Sequence, residues 1–313
     1  MSRHLKLAVA QQGPIHLSDS RERVVRRLIA MLQEAHARGA RLVVFPELAL
    51  TTFFPRYWYQ DQREIDAWFE TEMPSPVTRP LFDEAARLGV AFYLGYAELT
   101  EEEGATRRYN TSILVGPDGR IVGKYRKVHL PGHAERLVEA PFQHLEQRYF
   151  DVGNLGFRVW RLMDRLMGMC ICNDRRWPEV FRVMGLKGAE LVMLGYNTPD
   201  VNIRHPEPVH LRMFHNRLTM QAAAYQNGIW LAAAAKAGRE DGFGLIGGSC
   251  IIAPTGEIAT QATSEDDEVI TFDCDMALGE YIRQYQFNFE QHRRIEHYGL
   301  ITQQTGVVAD PEN

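Results

Sequence analysis

Long apolar runs are missing from this chain. Ile229 to Ala235 spans only seven residues, where a membrane-spanning helix needs about 18 or more, so no membrane partner is expected. Charge of one sign is not in excess either: 35 Lys and Arg stand against 40 Asp and Glu, a net charge of −5. That balance leaves no basic footprint for nucleic acid. Met1 to Ala10 has too short an apolar stretch for a secretory signal and runs into a strand pattern, so a cytoplasmic location is expected. Cysteine is scarce, with four residues at 170, 172, 250 and 274, which excludes a disulfide framework and leaves free thiols in a reducing compartment. There is no Gly-x-Ser-x-Gly elbow, because Gly248-Ser-Cys-Ile does not continue that way, and no His-x-His or Cys-x-x-Cys. A serine hydrolase and a metal site both lack their signatures, and no cofactor is expected. Gly242-Phe-Gly-Leu-Ile-Gly247 has dinucleotide-fingerprint spacing but follows a charged loop and enters a strand, so the phosphate-binding helix is missing.

What is present is an alternation of short apolar segments and helical patterns, with 45% hydrophobic residues to build a core. Leu5 to Ala10, a helix from about Ser20 to Ala37 with Val24, Leu28, Met31, Leu32 and Ala35 on one face, and Leu42 to Phe45 make a βαβ opening. A second helix fits Val77 to Leu88, and strands follow at Val90 to Ala97 and Tyr109 to Val115. The turn Gly116-Pro-Asp-Gly119 then leads to Ile121 to Tyr125, which makes an antiparallel hairpin and a mixed sheet. Further strands are predicted at Leu166 to Cys172, Leu191 to Leu194, Ile229 to Ala234, Leu245 to Ile252 and Val269 to Cys274. Helices are predicted near Pro178 to Gly185 and Leu211 to Asn227, and Ala253 to Glu257 repeats the earlier turn chemistry. No linker, repeat or low-complexity tract intervenes, so residues 1–313 are read as one α/β domain of mixed sheets covered by helices. The stretch from about 285 to 313 loses periodicity but keeps aromatics and charges, as a tail packing on a partner subunit would.

Three reactive side chains fall at strand ends. At Met169-Cys-Ile-Cys-Asn-Asp-Arg-Arg-Trp-Pro178 an apolar run breaks after Cys172 into a doubly basic turn, where nearby positive charge is expected to favour the thiolate. Taken alone, Cys170 and Cys172 are equally well small hydrophobes of a core strand. Glu47 follows Val-Val-Phe-Pro; alone, it is as readily a capping or ion-paired carboxylate. Lys127 closes Ile-Val-Gly-Lys-Tyr-Arg-Lys, where Lys124 and Arg126 allow a solvated basic edge instead. Together, a thiol, a carboxylate and an ammonium supply nucleophile, base and a fixed positive charge for an oxyanion.

The segments Phe-Pro-Glu47, Lys-Tyr-Arg-Lys127-Val-His129 and Cys172-Asn-Asp-Arg-Arg-Trp-Pro resemble the nitrilase superfamily of carbon-nitrogen hydrolases. Within it the resemblance is closest to the branch that hydrolyses N-carbamoyl-D-amino acids, and it extends through Pro-Gly-His133, His144-Leu-Glu146, Gly-Tyr-Asn197-Thr-Pro and His297-Tyr-Gly-Leu-Ile. It implies a four-layer αββα sandwich with two mixed sheets, assembled as a homodimer or homotetramer. It further implies a Glu47-Lys127-Cys172 triad with no metal, and polar substrate contacts from Asn173, Asn197 and Thr198. The loop Gly238 to Gly244 and the tail after Thr302 depart from the family pattern.

Arg175 and Arg176 bear on the substrate, since a guanidinium fork suits a carboxylate. Each could equally pair with Asp174 or Glu179 or serve the helix entry; pointing inward, one of them would select an acid such as an N-carbamoyl amino acid. Glu146 is expected to position Lys127 or the hydrolytic water, unless it is a surface charge in a helical turn. His129 and His144 are expected near the ureido group. A metal-dependent amidohydrolase using His129, His133 and His144 or Cys170 and Cys172, a non-enzymatic binding protein, and an amidase or ureidopropionase-like relative are the rival readings.

Overall fold

Alternation along each strand decides which layer it faces. In β1 (His4–Gln11), Leu5, Leu7 and Val9 point into one apolar cluster while Ala8 and Ala10 point into another. β2 (Leu42–Val44) repeats this with Leu42 and Val44 against Val43. Strands buried on both faces belong at the centre of a layered α/β structure. The computed structural model describes residues 3–201, 204 and 207–309.

Between these strands runs α1 (Arg21–Ala37), opened by the Ser20 side chain, which accepts from the Arg23 N–H as an N-cap does. α2 (Arg79–Leu88) stops at Gly89, whose left-handed conformation (φ 65°) suits a residue without Cβ. Then come β3 (Ala91–Glu102), β4 (Ala105–Val115), β5 (Ile121–Arg126), β6 (Val159–Leu162) and β7 (Arg165–Ile171). The second half holds α3 (Pro178–Leu186), β8 (Leu191–Tyr196), α4 (Val209–Asn227) and β9 (Trp230–Ala235). A small hairpin, β10 (Ala237–Glu240) and β11 (Phe243–Ile246), precedes β12 (Cys250–Ile252), β13 (Ile258–Gln261) and β14 (Glu268–Asp275).

Two six-stranded mixed sheets result, ordered β14-β1-β2-β3-β4-β5 and β13-β12-β9-β8-β7-β6. Each has three adjacent parallel strands, β1-β2-β3 in one and β7-β8-β9 in the other, flanked by antiparallel neighbours. The sheets face each other across a shared core containing Leu7, Val44 and Tyr93 from the first and Met169, Leu194 and Ile251 from the second. Tyr93 ties them with polar bonds as well: its hydroxyl donates to Cys170 O (3.0 Å) and accepts from Gly195 N (3.1 Å). α1 and α2 cover the outside of the first sheet, and α3 and α4 cover the second, giving the expected αββα layering.

Two predicted elements differ. The single strand expected from Leu245 to Ile252 is broken at Gly247 and Gly248, both at positive φ (57° and 77°), so β11 and β12 belong to different sheets. β3 runs past Ala97 to Glu102 and β4 begins at Ala105, ahead of Tyr109, so the pair extends beyond the apolar pattern as a polar hairpin, paired through Glu102 and Ala105. The repeated turn chemistry holds: Gly116 N donates to Arg120 O at 2.8 Å, and Ala253 N to Glu257 O at 2.9 Å. After Tyr285 the chain forms only short helical turns, with Ile295, Leu300 and Ile301 exposed; residues 310–313 of the expected interface tail lie outside the described residues. No described helix is long and apolar enough to cross a membrane.

Candidate active site

Glu47 lies just past the carboxyl end of β2, where ligands meet open α/β sheets. Its turn is wedged between the sheets, which is possible because both neighbouring strands carry Leu-Gly-Tyr at that level. A Cβ on Gly95 would sit 2.7 Å from Glu47 Cα, and one on Gly195 would sit 2.5 Å from Glu47 N. Leu48 is held at φ 45°, a left-handed conformation costly for a residue with Cβ. The carboxylate is fully buried and satisfied by specific donors. Oε1 accepts from Lys127 Nζ (2.7 Å) and Asn110 Nδ2 (2.7 Å), and Oε2 from Asn197 N (2.9 Å).

Lys127, also buried, follows β5 and reaches a second carboxylate, Glu146, at 2.5 Å. Burial alone would lower its pKa, but the negative charge available at Cys172, Glu146 and Glu47 raises it above the ordinary lysine value. It is a permanent cation. Burial disfavours the Glu146 charge too, yet Lys127 and His144 overcome that and lower its pKa; His144 Nε2 lies 3.1 Å from Glu146 Oε1. The solvated-edge alternative for Lys127 fails because Lys124 and Arg126 turn the other way and pair with Glu98. Asn110 was not foreseen: its Nδ2 contacts both Glu47 and Glu146, and nothing in Tyr-Asn-Thr-Ser marks it beyond an amide inside an apolar strand.

Cys172 ends β7 at φ 47° and opens a short 3₁₀ turn, Cys172–Arg176. Its Sγ lies 3.8 Å from Asn197 O and 3.7 Å from Arg175 Nη1, with no hydrogen bond to Glu47. The expectation of a thiolate favoured by the basic turn is corrected here. Burial, then the Glu47 charge, push the thiol up to about 11 against the opposing pull of Lys127 and Arg175, so the resting group is a neutral thiol that needs a base.

The two arginines divide. Arg175 is buried and spent on the protein: Nη1 donates to Cys172 O (2.6 Å), Nε to Asn216 Oδ1 (2.7 Å) and Nη2 to Thr198 Oγ1 (2.7 Å). It fixes the nucleophile turn. Arg176 forms no ion pair with Asp174, Glu179 or any other carboxylate among the described residues. Although the residue is exposed, enough protein surrounds it that desolvation, then the like charge of Arg175, lowers its pKa to about 10. At neutral pH it is still charged. Asp174 is engaged by Ile171 N, Tyr125 OH and His129 instead.

Cys172 opens onto a cavity of about 350 Å³ that Asn173, Asn197, Thr198, His144, Arg175 and Arg176 also line. Glu47, Lys127 and Glu146 lie behind it, buried. Arg204 and Arg212 add to the positive wall, and Phe53 and Phe243 supply an apolar one; none of these four was singled out from sequence. His129 is not among the residues that line the cavity: its ring is stacked on Trp177 (4.9 Å) and Phe157 (6.0 Å) with Nδ1 at 2.9 Å from Asp174, and it adjoins the lining residue Asn173, whose Nδ2 donates to His129 O (3.2 Å). His133 faces Gln143, and among the described residues no group of three His, Cys, Asp or Glu side chains is placed to hold a metal ion.

A buried nucleophile with a base and a fixed cation behind it is the equipment of acyl transfer at an amide-like bond. The fold and this grouping of side chains are those of a carbon-nitrogen hydrolase. The chain belongs to the carbon-nitrogen hydrolase family, whose pattern matches residues 6–284. It is 30% identical to a nitrilase of Pyrococcus abyssi over 94% of this chain and 99% of that one. It is also 30% identical to the N-carbamoylputrescine amidase of Arabidopsis thaliana, over 79% of this chain and 80% of the relative. Among solved structures, a carbon-nitrogen hydrolase from Helicobacter pylori G27 superposes with a TM-score of 0.81 at 23% identity, covering 95% of this chain and 98% of that one.

Proposed function

We propose that the protein hydrolyses N-carbamoyl-D-amino acids to the free D-amino acid, CO2 and ammonia. The observation that carries the acid substrate is Arg176, a cation without a carboxylate partner among the described residues, on the same cavity as Cys172. A ureido group as the reacting end is supported by the N-carbamoyl relative, and the D-preference by the motif resemblance.

In the mechanism, Glu47 accepts the Cys172 proton as Sγ attacks the ureido carbonyl carbon. Lys127 and the Asn173 N–H hold the oxyanion. Glu47 then returns the proton to the α-nitrogen as that C–N bond breaks, which frees the amino acid and leaves an S-carbamoyl cysteine. Water, deprotonated by Glu47, attacks the same carbon; the C–S bond breaks, the thiol is re-protonated, and carbamate departs to decay into CO2 and ammonia. Glu146 and Asn110 keep Lys127 and Glu47 in register throughout.

The test is incubation with matched D- and L-N-carbamoyl amino acids, following ammonia and the intact mass of a trapped Cys172 adduct. Turnover of the D series with a carbamoyl adduct is expected; no ammonia from either enantiomer defeats the assignment. We also propose that the surface groove lined by Leu186 on α3, Leu218 on α4 and Ile301 of the tail packs on a second copy of the chain, since these exposed apolar side chains share one groove. A monomeric mass in solution would refute that.

A further inference from the structure

Beside the cavity that holds Cys172 lies a second one, of about 640 Å³, and the two share Val201 and Phe243. The second cavity is walled by the segment Leu137 to Phe142, by Asp200 and Val201, and by the β10–β11 hairpin. That hairpin carries the loop Gly238 to Gly244.

Phe243 lies on the boundary where the two spaces meet. Its ring meets Phe142 edge-on at 4.6 Å, and the Arg56 guanidinium sits 4.8 Å from its centroid. Arg56 cannot drift, because Nη2 donates to Glu240 Oε1 and Nη1 to Glu240 O, both at 2.6 Å, with both side chains fully buried. Moving the ring would disturb a buried ion pair, which is costly. The hairpin is also joined to the reactive cavity: Ile246 N donates to Thr198 O (3.0 Å) and Asp200 N to Gly244 O (3.0 Å). A Cβ on Gly244 would lie 2.0 Å from Asp200 Oδ2, so a larger residue there would push the Asp200 side chain aside.

An α-amino acid bound by two groups has a third to place. With the ureido carbon at Cys172 and the carboxylate at Arg176, the aromatic lining left for the side chain is Phe53 and Phe243, and Phe243 also lines the neighbouring cavity. Past Phe243 the surface is mainly apolar, from Leu137, Ala140, Pro141, Phe142 and Val201. We propose that this second cavity is the subsite for the substrate side chain, that Phe243 and Phe142 shape it, and that it selects large apolar or aromatic side chains over small ones. This rests on the N-carbamoyl amino acid reading above.

The experiment compares kcat/KM for N-carbamoylglycine and N-carbamoyl-D-phenylalanine in the wild type, in Phe142→Ala, which removes one wall, and in Ala140→Trp, which fills the cavity without touching the Cys172 side. The wild type is expected to favour the phenylalanine substrate by about 100-fold, the scale set by burying one large apolar group. Each variant is expected to cut that ratio about tenfold or more. Because the readout is a ratio within one variant, partial misfolding cancels. Turnover with ratios within twofold of the wild type overturns the subsite and leaves the hydrolase reading standing; no ammonia from either substrate overturns both.

Discussion

Lys127 and Lys236 are both fully buried, each directly follows a strand and each contacts a glutamate, yet their surroundings drive them in opposite directions. Around Lys127, two carboxylates and the ionisable thiol outweigh the burial that would neutralise it, and its pKa rises. Around Lys236, burial wins: the one carboxylate, Glu240, is shared with Arg56, and the lysine is pushed down to about 8. The first cluster stands behind a thiol that opens on a cavity. The second grips backbone, with Lys236 on Thr51 O and Glu240 on Thr52 Oγ1, Phe53 N and Ile15 N. A buried lysine is thus a working cation or a fastener according to the charges facing it, and burial alone does not distinguish the two.

The sharpest break in that comparison is Cys172→Ala, expected to lower kcat by about 10⁵-fold or more, measured as ammonia release, with substrate binding retained. Glu47→Gln is next, at about 10³-fold in kcat with KM little changed, because it removes the base and leaves the cation; an equal loss from Lys236→Met would erase the distinction between the clusters. Since the Cys172 thiol is raised to about 11, its alkylation by iodoacetamide should rise tenfold per pH unit and keep rising beyond pH 9. A plateau near pH 8.5 would show an ordinary thiol. Arg176→Met is expected to raise KM for the acid substrate by about 10- to 100-fold with a smaller change in kcat, as loss of a charge-assisted contact would. Lys236→Met has the smallest catalytic effect, within about threefold on kcat, but it changes stability with pH. A lysine whose folded pKa is about 8 against an ordinary 10.5 binds fewer protons folded than unfolded between those values, so wild-type stability rises with pH there. Denaturant titrations should show the wild type gaining on the variant from about pH 8 upward; a constant difference would refute the depressed pKa.

The strand ends that carry Glu47, Lys127 and Cys172 were legible because apolar runs broke into polar residues at each of them. Glu146 was reached through the resemblance, and Asn110 not at all, since a lone amide within a strand carries no spacing signal. The expectation for Cys172 rested on Arg175 and Arg176, its neighbours in sequence, whereas burial, and then Glu47 brought in from another strand, push its thiol up. The stacking of His129 between Trp177 and Phe157 was likewise out of reach of the sequence.

The sequence by itself determined the layered α/β architecture, the hairpin turns and the residue types gathered at the strand ends, because alternation, turn chemistry and capping act within a few residues. Only the tertiary structure decided which buried lysine has its pKa raised and which has it lowered, which arginine is left without a carboxylate partner among the described residues, and which way the thiol is pushed. Those outcomes depend on groups a few ångströms apart in space that lie far apart along the chain, as when Glu47 accepts the N–H of Asn197, 150 positions later, at 2.9 Å. Between such buried pairs no water intervenes to weaken the field, so sequence proximity gives way to contact.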